Sequence, residues 1–235
     1  MSDEFNRIIN PFEELTFITS NEELMEKISL YRERMLKEAE AMAKMEVEFG
    51  SYPFEADGTM RPIRWSVLKR EEEKTLLLSA YVLDAKPYNK ARAGVTWETC
   101  TLRKWLNGEF LDTAFTEEEK RRILLTKLKK EDNPRFKMSG SSDTEDRIFL
   151  LSVSEVKKYL LFDLLCMRRP TPYAIKQEVH VWENGNCWWW LRSPGRAPSN
   201  TAYVDCHGMY EYVFDVDHGF LGVCPALWID SESDI

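Results

Sequence analysis

The chain has 235 residues, 43% of them hydrophobic and 12% aromatic, which is enough for a sizeable core in one principal domain. Its 32 Lys and Arg against 40 Asp and Glu leave a net charge of −8, so no basic sheath exists to neutralise phosphates and nucleic acid is not an expected partner. No long apolar run or polybasic amphipathic helix points to a membrane either.

The start, Met1-Ser2-Asp3-Glu4-Phe5, is acidic and lacks the apolar stretch of a secretory signal. The five cysteines (Cys100, Cys166, Cys187, Cys206, Cys224) are odd in number, widely spaced and without a CxxC pair. Reduced thiols in a cytoplasmic protein are the expectation.

Residues 20–46 predict one long helix. Ser20 and Glu23 form a capping box, and Leu24, Ile28, Tyr31, Met35, Met42 and Met45 recur at spacings of three, four or seven. Such a stripe packs on its own domain or, as the alternative, joins two copies into a homodimer. The expected division is therefore a helical extension over 1–46 and a Trp-rich α+β domain over 47–235.

Past Gly50 the period shortens. Val47–Tyr52, Ile63–Leu68 and Thr75–Ser79 read as strands of a small antiparallel meander, split by turn residues such as Asp57-Gly58. Thr99 then opens a helix with Leu102, Trp105, Leu106 and Phe110 on one face, and Thr116 with Glu119 makes a second capping box. Residues 129–146 are polar and predict an exposed loop. Ile148–Leu151 reads as a buried strand, and Ser152 with Glu155 caps a helix running to about Cys166. From Trp182 onward the pattern is all β: Cys187–Leu191, Thr201–Cys206, Tyr210–Asp215 and Leu221–Ile229.

Several segments in this order resemble a bacterial domain family of unknown function. They are Phe49-Gly50-Ser51-Tyr52, Ile63 to Leu68, Leu102 to Asn107, Phe115 to Lys120, Trp189-Trp190-Leu191-Arg192-Ser193-Pro194-Gly195 and Gly222 to Trp228. The family is marked by a WWLRSPG stretch and a closing GVRPAL, and the match spans roughly residues 47 to 230. This chain departs from it at Cys224, where the closing motif carries arginine. The resemblance implies a C-type-lectin-like α+β fold, with a mixed, mainly antiparallel β core and flanking helices. Trp65, Trp105, Leu150, Trp189, Val204, Leu227 and Trp228 are then expected in the core.

Strand alternation sends Cys187, Trp189 and Leu191 one way and Trp188, Trp190 and Arg192 the other. The expected function is a non-catalytic binding module recognising a protein, peptide or glycan through a Tyr/Trp-rich C-terminal β face. Its expected ligand residues are Trp188, Trp190, Arg192, Asn200, Tyr203, Tyr210, Tyr212 and His218, with Ala202, Val204 and Val213 holding the strands to the core. The alternatives are a metal- or cysteine-dependent enzyme and a structural component. His207, His218, Asp205, Asp215 and Asp217 read as polar turn residues rather than metal ligands. On a strand His207 would face away from Cys206, and no nucleotide or dinucleotide loop is present, so neither a catalytic residue nor a cofactor is expected.

Overall fold

The computed structural model describes residues 25–30, 33, 37 and 46–230, apart from 134, 141, 161 and 162. The chain forms two compact units, Met1–Lys44 and Met45–Ile235. In the first, Met25–Leu30, Glu33 and Lys37 are helical. The Ser20 capping box and the rest of the 20–46 stripe lie outside the described residues.

The second unit is mostly β, which overturns the expected α+β class and its lectin-like core, and among the described residues no long helix precedes it. Strands β1 (Glu46–Pro53), β2 (Met60–Arg70) and β3 (Lys74–Ser79) form the antiparallel meander that their alternating pattern demands. Its fourth strand comes from the far end of the chain: β11 (Ala226–Asp230) pairs antiparallel with β3, Leu227 opposite Leu77. A second sheet runs in the order β4 (Asp84–Ala85), β10 (Gly222–Val223), β7 (Trp189–Pro194), β8 (Asn200–Val204) and β9 (Tyr210–Asp215). It is mixed, because β10 and β7 are parallel while its other pairs are antiparallel. A short ribbon joins β5 (Thr126–Leu128) to β6 (Thr144–Asp146).

The helices between these strands are brief. Cys100, rather than Thr99, caps α1 (Thr101–Trp105), which continues as a π-helical turn (Leu106–Phe110) into α2 (Leu111–Ala114). Both described capping boxes form, at Thr116 for α3 (Glu117–Arg122) and at Ser152 for α4 (Val153–Tyr159). A capping box starts a helix but does not prolong it. Extended backbone at Phe115 and Ile123 ends α2 and α3, and α4 stops at Leu160 before α5 (Asp163–Cys166) and α6 (Pro172–Lys176).

Ile148–Leu151 is buried as expected but makes only one isolated bridge, Phe149 to Ala226, and is not a strand. The polar segment 129–146 is not wholly exposed. Asn133 is buried within it, its amide donating to the carbonyls of Pro194 (2.8 Å) and Gly195 (3.2 Å). Asp146 is buried too, accepting from Trp97 Nε1 at 2.9 Å and Arg103 Nε at 2.7 Å, so that α1 is tied to β6.

The core runs between the sheets and the helices. Trp65, Leu150, Trp189, Val204 and Leu227 are buried, while Trp105 and Trp228 are only half-buried. Each buried tryptophan removes roughly 150–250 Å² from water, on the order of 4–6 kcal/mol at about 25 cal/mol per Å². Their donors are paired: Trp65 Nε1 with Phe49 O (2.7 Å), Trp189 Nε1 with Cys166 O (3.0 Å) and Trp190 Nε1 with Lys86 O (2.8 Å).

Asp84 is buried in β4, accepting from Tyr52 Oη at 2.8 Å, with Lys86 Nζ at 3.4 Å. Burial raises its pKa above the ordinary 3.8, against the pull of Lys86 and Tyr52. A carboxyl with a raised folded pKa holds its proton more tightly folded than unfolded, so the fold loses stability as pH rises from about 4 through the folded value. Denaturation across that window should show the decline in the native chain and a flatter profile in Asp84→Asn. Parallel profiles would mean that Asp84 does not set the trend.

Candidate functional site

The segment from Val179 to Trp188 turns back on itself. Val181 bridges Cys187 antiparallel, Trp182 N donates to Asn186 O (2.9 Å) and Gly185 N returns to Trp182 O (2.8 Å). Asn184 Nδ2 fastens this turn to the Cys206 carbonyl at 2.8 Å. The result lays the Trp182 ring over Trp188, centroids 5.1 Å apart and planes 25° from parallel. His180 meets the Trp182 ring edge-on at 4.9 Å, and its backbone N–H donates to Phe220 O at 3.0 Å. From β9, Phe214 stands at 82° to Trp188 with centroids 5.1 Å apart, and Phe220 closes on Phe214 at 5.5 Å.

These rings, with Glu178, Val179 and Val181, line an open cleft of about 480 Å³. Trp182 and Val181 are each 37% exposed, so apolar surface faces water here. The Trp188 indole nitrogen is buried with no hydrogen-bond partner among the described residues. An orphan donor of this kind costs about 1–3 kcal/mol, and a phenyl ring at 188 would avoid it.

The expected ligand residues fall into two groups. Trp188 lines the cleft, and His218 stands beside it, its ring 5.0 Å from Phe214 and 5.3 Å from Phe220. The others are held elsewhere. Trp190 is buried against Tyr88 and Phe214. Arg192 is buried and binds Glu155 and the Leu150 carbonyl, which makes it a tie between β7 and α4. Asn200 is buried and donates to Asp215 Oδ1 at 2.7 Å. Tyr203 is buried against Trp188 and Phe214, and desolvation pushes its phenol up to about 12. Tyr212 is buried against Phe136, and Tyr210 is half-buried under Lys157.

Tyr203 and Tyr212 are therefore turned inward while Tyr210 stays half-buried, and Val213, assigned to the core, is 40% exposed. The parity of β9 was reversed, and a shift of one residue exchanges every side chain between faces. Both sides of β8 are covered as well, so alternation could not separate core from surface there. His180, Trp182, Phe214 and Phe220 were missed. The available signal was Trp182 itself, a large aromatic just before the Asn184-Gly185 turn, where a ring is seldom fully buried.

A second correction concerns Cys206 and His207. β8 ends at Val204 and the two residues sit in a turn, so strand alternation does not apply: Cys206 Sγ lies 3.4 Å from His207 Nδ1. The thiol is nonetheless buried, and Asp205 Oδ1 accepts the His207 and Met209 N–H groups at 2.8 and 2.9 Å, a structural role for this turn. All five cysteines are free and buried, and burial pushes Cys100, Cys166 and Cys224 up to about 12, far from thiolate chemistry. Beside Cys224 lies the Arg168 guanidinium, which is buried and depressed in pKa by desolvation; its Nη1 donates to the Leu165 and Met167 carbonyls at 2.6 and 3.0 Å.

Asp215, Asp217 and His218 bring one ligand atom each within 4.8 Å of one another. Asp215 is already engaged by Arg92 at 2.9 Å and by Asn200, so a cation there would have to displace a resident charge. Among the described residues no helix is long and apolar enough to cross a membrane.

No curated protein and no solved structure matches the chain. A family model does, over residues 72–231, which takes in both ends of the mixed sheet and the whole aromatic cleft. That match covers more than half of the sequence, and the chain accordingly belongs to the family of the domain of unknown function DUF6273.

Proposed function

We propose that this domain is a non-catalytic recognition module that holds a peptide or glycan segment against the rings of Trp182, Trp188, His180, Phe214 and Phe220. The observation that carries the reading is the stacked Trp182–Trp188 pair at the mouth of an open cleft, with Trp182 37% exposed. Such a surface is costly to leave in water and is suited to a ligand with a flat or CH-rich face. Glu178 and His180 in the wall supply polar groups that orient a ligand. The described cysteines are buried, and burial raises the thiols of Cys100, Cys166, Cys187 and Cys224, which favours recognition over cysteine catalysis.

The test is a comparison of the native chain with Trp182→Ala on glycan and peptide arrays, followed by titration of the best binder. Loss of an exposed anchor ring should weaken binding by about 2 kcal/mol, roughly thirtyfold in Kd, while leaving the melting temperature within a few degrees. An unchanged Kd in the variant, or no binder on either array, would defeat the reading.

A further inference from the structure

A second cleft, of about 460 Å³, lies on different elements and is built from different chemistry. The loop after β4 contributes Lys86, Pro87 and Lys90; α1 contributes Thr101, Leu102, Lys104 and Trp105; and the π-helical turn contributes Glu109. The loop and the helix are pinned together. Asn89 Oδ1 accepts from Thr101 N at 3.1 Å, and Thr101 Oγ1 accepts from Lys90 N at 3.0 Å. The cleft is thus a fixed concavity and not a gap between loose segments.

Its charge runs against that of the molecule. The chain carries −8 overall, yet the lining holds three lysines and one glutamate. The buried carboxylate of Asp84, 3.4 Å away, offsets Lys86. Lys86 is held further by the Trp105 ring, its Nζ 4.6 Å from the centroid. Lys90 and Lys104 are exposed and have no ion-pair partner among the described residues, so two ammonium groups bordering the cleft are left without counter-charge.

Trp105 gives the cleft an aromatic wall, its ring packed against Phe110 with centroids 5.3 Å apart and lying under the Lys86 ammonium. The residue is half-buried, and its indole nitrogen is buried with no hydrogen-bond partner among the described residues. The helix changes to a π turn at the next residue, a distortion frequent at functional sites.

We propose that this cleft binds a small organic anion, a carboxylate or phosphate monoester carried on a flat apolar body. The body lies along Trp105 and Pro87, and the oxyanion is held by Lys90 and Lys104. Glu109, the one carboxylate in the lining, disfavours an anion at its own side and so sets which way the ligand points. The inference is independent of the aromatic cleft, with which this one shares no residue.

Eight tryptophans make total fluorescence ambiguous, so the experiment follows the indole N–H of Trp105 by two-dimensional NMR, assigned from its disappearance in Trp105→Phe. The probes are phenyl phosphate, benzoate and inorganic phosphate. The expected result is a saturable shift of the Trp105 signal with one of the aryl probes and no movement of the Trp182 signal. Affinity for the aryl probe should exceed that for inorganic phosphate, and should fall about tenfold in Lys90→Ala/Lys104→Ala, a loss of roughly two weak ion contacts. Which aryl probe binds decides between phosphate and carboxylate. A Trp105 signal unmoved by both aryl probes, equal affinity for inorganic phosphate, or undiminished binding in the double variant would overturn the proposal. Both lysines are exposed, so the double variant is expected to fold.

Discussion

Arg192→Ala should destabilise the domain by about 3 kcal/mol, toward the low end of the loss expected when one partner of a buried ion pair is removed. The guanidinium is buried at the end of β7. Nη2 donates to Glu155 Oε1 at 3.2 Å, Nη1 donates to Glu155 Oε2 and to Leu150 O at 3.2 Å, and Glu131 lies 3.7 Å away. Truncation strands Glu155, whose other task is to close the capping box of α4 by accepting from Ser152 N at 2.9 Å. Glu155 is still 24% exposed, so water recovers part of its solvation and the loss stays below the upper limit. For a domain of this size the melting temperature should fall by about 6–12 °C. Arg192→Lys should recover less than half of that, because an ammonium cannot present the planar fork that spans both Glu155 oxygens. Thermal and urea denaturation read both effects. A drop below about 1 kcal/mol for the alanine variant would show that this pair is not a principal tie between β7 and α4.

The second large effect is expected at Gly50. It sits at the irregularity in β1 where the pairing with β2 shifts between Glu48 and Ser51, and its φ is +67°. A Cβ there would lie 2.5 Å from Phe115 Cε1 and 2.7 Å from the Ala114 carbonyl oxygen. Gly50→Ala therefore combines left-handed strain of about 1–2 kcal/mol with overpacking of about 1–3 kcal/mol, for a total near 3 kcal/mol. It should also lengthen the bond from Gly50 N to Glu119 Oε1, now 3.1 Å. Gly58 provides the control. Its φ is +91°, but a Cβ there meets nothing within 4 Å, so Gly58→Ala should show the backbone strain alone, about 1 kcal/mol. Equal losses at the two positions would mean that the contact with Phe115 and Ala114 yields without cost.

Glu119 illustrates what a sequence conceals. Its spacing from Thr116 announces a capping box, and the box forms, with Glu119 Oε2 accepting from Thr116 N at 2.8 Å. Its other oxygen holds the bulged backbone of β1, 69 residues away, and no local pattern could announce that. Arg192 is similar: its sequence position suggested a ligand residue, and nothing local announced that Glu155 and the Leu150 carbonyl would hold it.

Local signals fixed what is local. Short β-rich runs bounded by turn residues placed β1 to β3 and the C-terminal strands, and two capping boxes placed the starts of α3 and α4, because each of these depends on neighbours within a few residues. Tertiary structure decided the rest. Only the full fold adds β11 to the N-terminal meander and slots β10 between β4 and β7, since strand order is set by which apolar faces meet after closure of long loops. Only the fold covers β8 on both sides, which buries Tyr203 and removes the contrast that alternation relies on. And only the fold brings Trp182 from a turn, Trp188 from the threshold of β7, Phe214 from β9 and Phe220 from the loop beyond it into one cleft, because proximity in space between rings so far apart in sequence is a property of packing and leaves no period in the chain.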